Sequence, residues 1–357
     1  MNIVERPLAT SSPVSSYDEW GKLREIIVGR PDGGRIATAD RGLFAVEYLD
    51  LGAMSAIPSG PYPQWIIDET EEDLQAFIKV LEQFGAIVRR PELFDHSKAF
   101  STPDWTSDGQ YNYCPRDLFV VAGETIIEAP MTLRARQYET TSYKSILLDY
   151  LDRGARWISA PKPRLLDSAY QIGNPNALAI TEVEPIFDAA NVLRIGRDIL
   201  YLVSDSGNRI GAKWLQSALG SDFRVHAYEN LYRGTHVDTT LALIRPGLVV
   251  VNAERVNATN LPGLFADWDV IYLDEVIDIG FTNLPYASEW IGMNLVMLDP
   301  DTAVVDASQG PLISALEARG VSVIPLRLRH ARTLGGGFHC VTIDIRRDGV
   351  LEDYCHG

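Results

Sequence analysis

A five-fold recurrence constrains this chain more than any other feature. Five times, a helix-like stretch closes on a glycine or turn and passes into a short strand that ends at a proline or polar stop. The instances are residues 80–91, 150–161, 217–226, 264–273 and 315–325. Glycine just past a helix end supplies the left-handed backbone that stops the helix. The first helix carries Leu74, Phe77, Ile78 and Leu81 at i, i+3, i+4, i+7 spacing, one apolar stripe. Between these units lie paired strand candidates: residues 117–122 with 125–128, 241–244 with 248–252, and 295–299 with 303–306. Each pair is split by a short Gly, Pro or Asp turn, the pattern of a hairpin. Hairpin–helix–strand units of roughly 50–70 residues would tile most of the chain as a radial array. The plainer alternative is an irregular α/β protein whose helices happen to end in glycine.

At 357 residues the chain can bury a large core. Its net charge is -16, which repels nucleic acid and anionic membranes and argues against either as a partner. Cys114, Cys340 and Cys355 are too few and too far apart for a disulfide framework, which fits a reducing, cytoplasmic setting. No CxxC or HxxxH spacing occurs, so no metal site is expected. Residues 1–16 lack a signal-peptide apolar core and read as a flexible arm, with 17–357 a single domain. No run reaches the roughly 18 apolar residues of a membrane span.

Chemistry concentrates in the segment Thr333-Leu-Gly-Gly-Gly-Phe-His-Cys340. Three glycines remove side chains from the approach to Cys340 and allow unusual backbone angles. A thiol needs such access, and a neighbouring base or cation, to act as a nucleophile. A single cysteine is more commonly a small buried apolar residue. His236, in Gly234-Thr-His-Val-Asp-Thr-Thr240, could serve as an acid/base if a carboxylate such as Asp188 or Asp238 lies close. Taken singly, each Asp would be a cap or turn residue in most proteins. Carboxylates around a Cys/His pair make a poor anion site but a good seat for a guanidinium, a planar fork of five donors. Sulfur attack on the guanidinium carbon gives a tetrahedral adduct, and loss of an amine leaves a thiouronium-like intermediate.

These motifs resemble those of the arginine-dependent amidinotransferases of the pentein superfamily. The likeness runs from Tyr17-Asp-Glu-Trp20 almost to the end of the chain. Segments carrying it include Cys114-Pro-Arg-Asp117, Ile126-Ile-Glu-Ala-Pro130, Ala160-Pro-Lys-Pro163, Phe187-Asp-Ala-Ala190, His236-Val-Asp238, Trp290-Ile-Gly-Met-Asn294 and Leu334-Gly-Gly-Gly-Phe-His-Cys340. Thr38-Ala-Asp-Arg41, Phe44-Ala-Val-Glu-Tyr48 and Ser204-Asp-Ser-Gly207 are similar to the inosamine-phosphate branch. The resemblance implies a five-bladed α/β propeller of ββαβ-type modules with its site at the centre and no cofactor. It implies Cys340 as the nucleophile, His236 as general acid/base, Asp188 as its partner, Asp117 and Asp238 as the guanidinium grip, and Arg255 and Ser288 as the clamp on an α-carboxylate. Small-molecule substrates, L-arginine and an amine acceptor, follow, and a homodimer stays open.

Glycine-type enzymes carry two adjacent serines where this chain has Ala287-Ser288, and Arg233-Gly-Thr235 also departs from their loop, so glycine is disfavoured as acceptor. Lysine has a physical argument: it is ornithine plus one methylene and can reuse the Arg255/Ser288 clamp, and one methylene discriminates by only about 10–200-fold. On that ground lysine stands first, with an inosamine phosphate nearly level. An arginine deiminase-type hydrolase shares the Cys/His/Asp set, and a non-catalytic binding protein on the same fold is a further reading.

Overall fold

The structure is a computed structural model that describes residues 12–174, 176–282 and 286–355. Five three-stranded sheets dominate it. In each, the middle strand pairs antiparallel with one neighbour and parallel with the other. Thr125–Glu128 lies between Phe119–Ala122 and Arg156–Ser159, and Asp198–Leu202 between Val192–Ile195 and Arg224–Tyr228. Leu248–Asn252 lies between Leu241–Arg245 and Asp269–Leu273, and Thr302–Asp306 between Val296–Asp299 and Ser322–Leu326. The antiparallel pairs need just a tight turn, whereas each parallel partner needs a crossover. The helix-to-strand units read from the sequence supply those crossovers.

The fifth sheet is different in origin. Leu23–Val28 pairs antiparallel with Thr342–Arg347 and parallel with Ile87–Arg89. Its antiparallel pair therefore joins segments more than 300 residues apart in sequence, where no hairpin signal exists.

Helix α1 spans Arg41–Glu47 and is capped by Asp40, whose Oδ1 accepts the Leu43 amide at 2.8 Å. Helix α2 spans Gln64–Phe84 and buries Leu74, Phe77, Ile78 and Leu81, each of which contributes roughly 1.5–3 kcal/mol by leaving water. It ends at Gly85 with φ 96°. The fourth crossover departs from expectation: its helix is a single turn, Gly263–Phe265, because Pro262 and the Asn257 side-chain turn occupy most of the connection. The strand expected from residue 117 starts instead at Phe119, since Pro115–Asp117 form a 3-10 turn. That turn leaves Asp117 at the mouth of the strand.

Consecutive sheets share apolar clusters. One joins Leu200, Val250 and Val305, a second joins Ile27, Ile127 and Tyr201, and a third joins Val28 to Val304. Residues 1–11 of the expected arm lie outside the described residues. Residues 12–16 are seated in the fold: Ser15 bridges Arg346, Ser16 bridges Gly123, and Ser16 is fully buried. Among the described residues no helix is long and apolar enough to cross a membrane.

Candidate active site

Cys340, His236, Asp238, Ser288 and Glu47 line one cavity of ≈ 290 Å³. Cys340 sits at the foot of the Thr342–Arg347 strand and is 2% exposed. Its Sγ donates to Asp238 Oδ2 at 3.1 Å and accepts from Asn294 Nδ2 at 3.1 Å. Asn294 also accepts the backbone amides of His339 and Cys340 through Oδ1, at 2.9 and 3.1 Å, and so fixes the thiol's direction. The glycine run has a more local reason than access. A Cβ at Gly336 would stand 2.5 Å from Cys114 Sγ, and one at Gly337 2.6 Å from Asn294 Cβ. Gly335 lines the cavity beside Cys340, whereas at Gly336 and Gly337 protein atoms fill the space the glycines leave, so that there the turn presses against Cys114 and Asn294.

His236 takes a left-handed backbone, φ 65°, uncommon for a residue with a Cβ and typical of functional positions. Its Nε2 lies 3.1 Å from Asp188 Oδ2 and its Nδ1 3.6 Å from Asp117 Oδ1. Asp188 is aimed by the Thr132 amide, which donates to its Oδ1 at 2.8 Å. Burial alone would make His236 harder to protonate, but Asp117 and Asp188 outweigh it and raise the ring to about 10. At neutral pH the ring is an imidazolium that can give a proton away.

The two carboxylates expected to grip a guanidinium are both incompletely used. Arg136 donates to Asp117 Oδ2 at 2.6 Å, and Asp117 Oδ1 accepts no hydrogen bond among the described residues. Asp238 Oδ2 faces His339 Nδ1 at 3.0 Å, and Asp238 Oδ1 is likewise without a donor. Leaving such a buried acceptor unpaired costs about 1–3 kcal/mol, so these two oxygens are primed for a ligand's N–H groups. Burial pushes Asp117 up, His236 and Arg136 opposing it. Burial would do the same to Asp238, but hydrogen bonds from His339 bring it down to about 2. The Cys340 thiol is pushed well up by burial and by Asp238, so it rests as a neutral thiol.

Arg255 and Ser288 form a second unit. The Arg255 guanidinium donates to Thr239 O, Thr239 Oγ1 and Thr240 Oγ1, each at 2.9 Å, and to Ser288 Oγ at 3.2 Å. It stacks 3.6 Å from the Tyr232 ring centre. A rigid cation with a hydroxyl beside it suits a carboxylate.

All seven residues singled out in the sequence thus fall at this cavity or one contact from it. The sequence did not single out Arg136, Glu47 or the clamping role of Asn294. Asn294 ends a quoted motif, but its partners at 339 and 340 are set by tertiary contact alone. Among the described residues no group of three or more His, Cys, Asp or Glu has the arrangement of a metal site.

No protein-family model matches the chain. Among curated proteins it is 54% identical over 345 residues to inosamine-phosphate amidinotransferase 1 of Streptomyces glaucescens, covering 96% of this chain and 99% of that one. It is 39% identical to the L-arginine:L-lysine amidinotransferase of Pseudomonas savastanoi pv. phaseolicola, covering 96% and 97%. The solved inosamine-phosphate amidinotransferase of Streptomyces griseus superimposes with a TM-score of 0.95 at 53% identity, covering 97% and 100%. The chain belongs to the amidinotransferase family and is a transferase of the inosamine-phosphate branch's close kin.

Proposed function

We propose that this protein moves the amidino group of L-arginine onto a phosphorylated aminocyclitol through a covalent amidino-cysteine at Cys340. The observation that carries the reading is the pair of buried oxygens that accept no hydrogen bond among the described residues, Asp117 Oδ1 and Asp238 Oδ1, in the company of a thiol and an imidazolium. A guanidinium satisfies both oxygens and keeps its positive charge beside the carbon that sulfur must attack. The Sγ–Cζ bond forms, the Cζ–Nε bond of arginine breaks, and in net the thiol proton ends on that nitrogen, the departing δ-amine of ornithine. His236 delivers that proton, held in place by Asp188. The acceptor amine then attacks the same carbon, the C–S bond breaks, and the amine's proton returns to sulfur by the reverse route.

Arg255 and Ser288 hold the α-carboxylate of the donor in this scheme. The relatives at 54% and 53% identity are inosamine-phosphate amidinotransferases, which supports our putting an inosamine phosphate ahead of lysine, the reverse of the order reached from sequence. A neighbouring hollow that shares Tyr232 with the cavity is lined by Arg209 and Arg233 together with Glu229, and the arginines pair with Glu229 and Asp205. Lysine is the second reading, favoured by the same Arg255/Ser288 clamp. We read the five sheets as the blades of a five-bladed propeller in one domain, a view supported by the apolar cluster that joins the last sheet to the first.

Intact mass after exposure to arginine alone should rise by one amidino unit, Cys340→Ser should show no rise and no turnover, and double-reciprocal plots should be parallel. Near-normal turnover by Cys340→Ser would sink the assignment. Product masses from a panel of amines decide between the two acceptors.

A further inference from the structure

The cavity contains one more carboxylate than the donor can use. Glu47 is the last residue of helix α1, and with Val46 it lines the same cavity as Cys340 and His236. Its carboxylate makes no hydrogen bond or salt bridge to any described residue, although the side chain is half-buried. The other charged groups of the cavity have assignments: Asp117 and Asp238 face a guanidinium, Asp188 holds His236, and Arg255 faces a carboxylate. Glu47 is also rigidly placed. The N-cap at Asp40 and the contact of Gly42 with the Tyr170 ring, where a Cβ would come within 2.6 Å, fix the helix that carries it.

We infer that Glu47 is the acceptor-recognition residue, and that it takes hydrogen bonds from hydroxyl groups flanking the attacking amine of a polyhydroxylated acceptor. A carboxylate offers two oxygens in one plane and can accept from two neighbouring hydroxyls at once. A cyclitol amine presents such hydroxyls next to the nitrogen; the side chain of lysine presents none. Burial pushes Glu47 up to about 7, with His236 opposing and Asp188 reinforcing the rise. It therefore sits near the point where it can serve as acceptor or donor to a hydroxyl without a counter-ion. This inference rests on the transferase reading above and specifies how that site chooses its second substrate.

Glu47→Gln, which preserves the size of the side chain, separates the half-reactions. Adduct formation from arginine is followed by intact mass, and the preformed adduct is then mixed with an inosamine phosphate or, separately, with lysine. Consumption of the adduct by inosamine phosphate should fall at least about tenfold, the loss of one charge-assisted hydrogen bond. Adduct formation, and consumption by lysine, should change far less. Glu47→Ala should reproduce the pattern, and an unchanged thermal midpoint in either variant shows that the fold is intact. Equal losses with both amines would make Glu47 a proton acceptor for the amine and overturn the inference, and so would no loss with either. A wild-type adduct that inosamine phosphate leaves intact sinks the acceptor reading and this assignment together; a wild type and variant that consume it equally fast sink the Glu47 assignment alone.

Discussion

Two buried charge clusters lie side by side in this molecule, joined by one histidine. In the first, Asp344 accepts from Arg116 and Arg194 at 2.6 Å, from Arg347 at 2.8 Å and from Ser16 at 2.9 Å, while Glu19 binds Arg194 at 2.7 and 2.9 Å. In the second, Asp117 and Asp238 each keep one oxygen that accepts no hydrogen bond among the described residues. His339 faces both, with Nε2 3.3 Å from Glu19 and Nδ1 3.0 Å from Asp238. The burial is the same and the residue types overlap, so neither distinguishes the clusters. Satisfaction does. A buried charge that has all its partners holds elements together, and one that lacks a partner is waiting for something the chain does not contain.

The largest expected effect tests the saturated side. Asp344→Asn leaves three buried guanidinium groups facing a neutral amide and should cost about 3–5 kcal/mol of stability, read as a lower denaturant midpoint. An unmoved midpoint would erase the contrast between the clusters. The unsaturated side should behave in the opposite way. Asp117→Asn or Asp238→Asn should lower kcat/KM for arginine at least tenfold, about 1.5–3 kcal/mol of lost charge-assisted bonding, while moving the midpoint less than Asp344→Asn does. A variant that lost stability but kept its kcat/KM would place that carboxylate in the structural cluster.

The smallest effect at neutral pH concerns His236. Folding lifts it from 6.5 to about 10, so its contacts with Asp117 and Asp188 stabilise the fold fully below about 6.5 and are lost as pH rises through 10. Asp238, held down at about 2, contributes above 3.8 and loses that contribution as pH falls toward 2. The denaturant midpoint should decline from neutral pH toward 10, and His236→Gln should flatten that decline. Parallel curves for the two proteins would mean that the flanking aspartates do not hold a charged ring.

What could be read from sequence was local. The apolar stripe of α2, the glycine at position 85 and the hairpin of residues 117–128 each depend on neighbours within a few turns, and each was visible. The sheet formed by Leu23–Val28 with Thr342–Arg347 was not, because a pairing across the chain leaves no turn to announce it. The site divides along the same line. Cys340 and His236 stand out by residue type in Gly-rich or polar surroundings, whereas the aspartates took their roles from the family resemblance. Arg136, whose guanidinium occupies one oxygen of Asp117 and leaves the other open, resembles any arginine until its distance to Asp117 is known. Glu47 stood within the quoted segment Phe44-Ala-Val-Glu-Tyr48 with no role of its own, and Gly336 and Gly337, read as part of an approach to Cys340, are a tight fit against Cys114 and Asn294.

The pairing of Leu23–Val28 with Thr342–Arg347 has a temporal consequence. Thr342–Arg347 follows every other described strand in chain order, and it carries Cys340 at its foot. Asp117, Asp188, His236 and Asp238 all precede Cys340 in the chain, so they leave the ribosome before the thiol does. Because that strand pairs with Leu23–Val28, the sulfur takes its place in the cavity only once two distant parts of the chain have met.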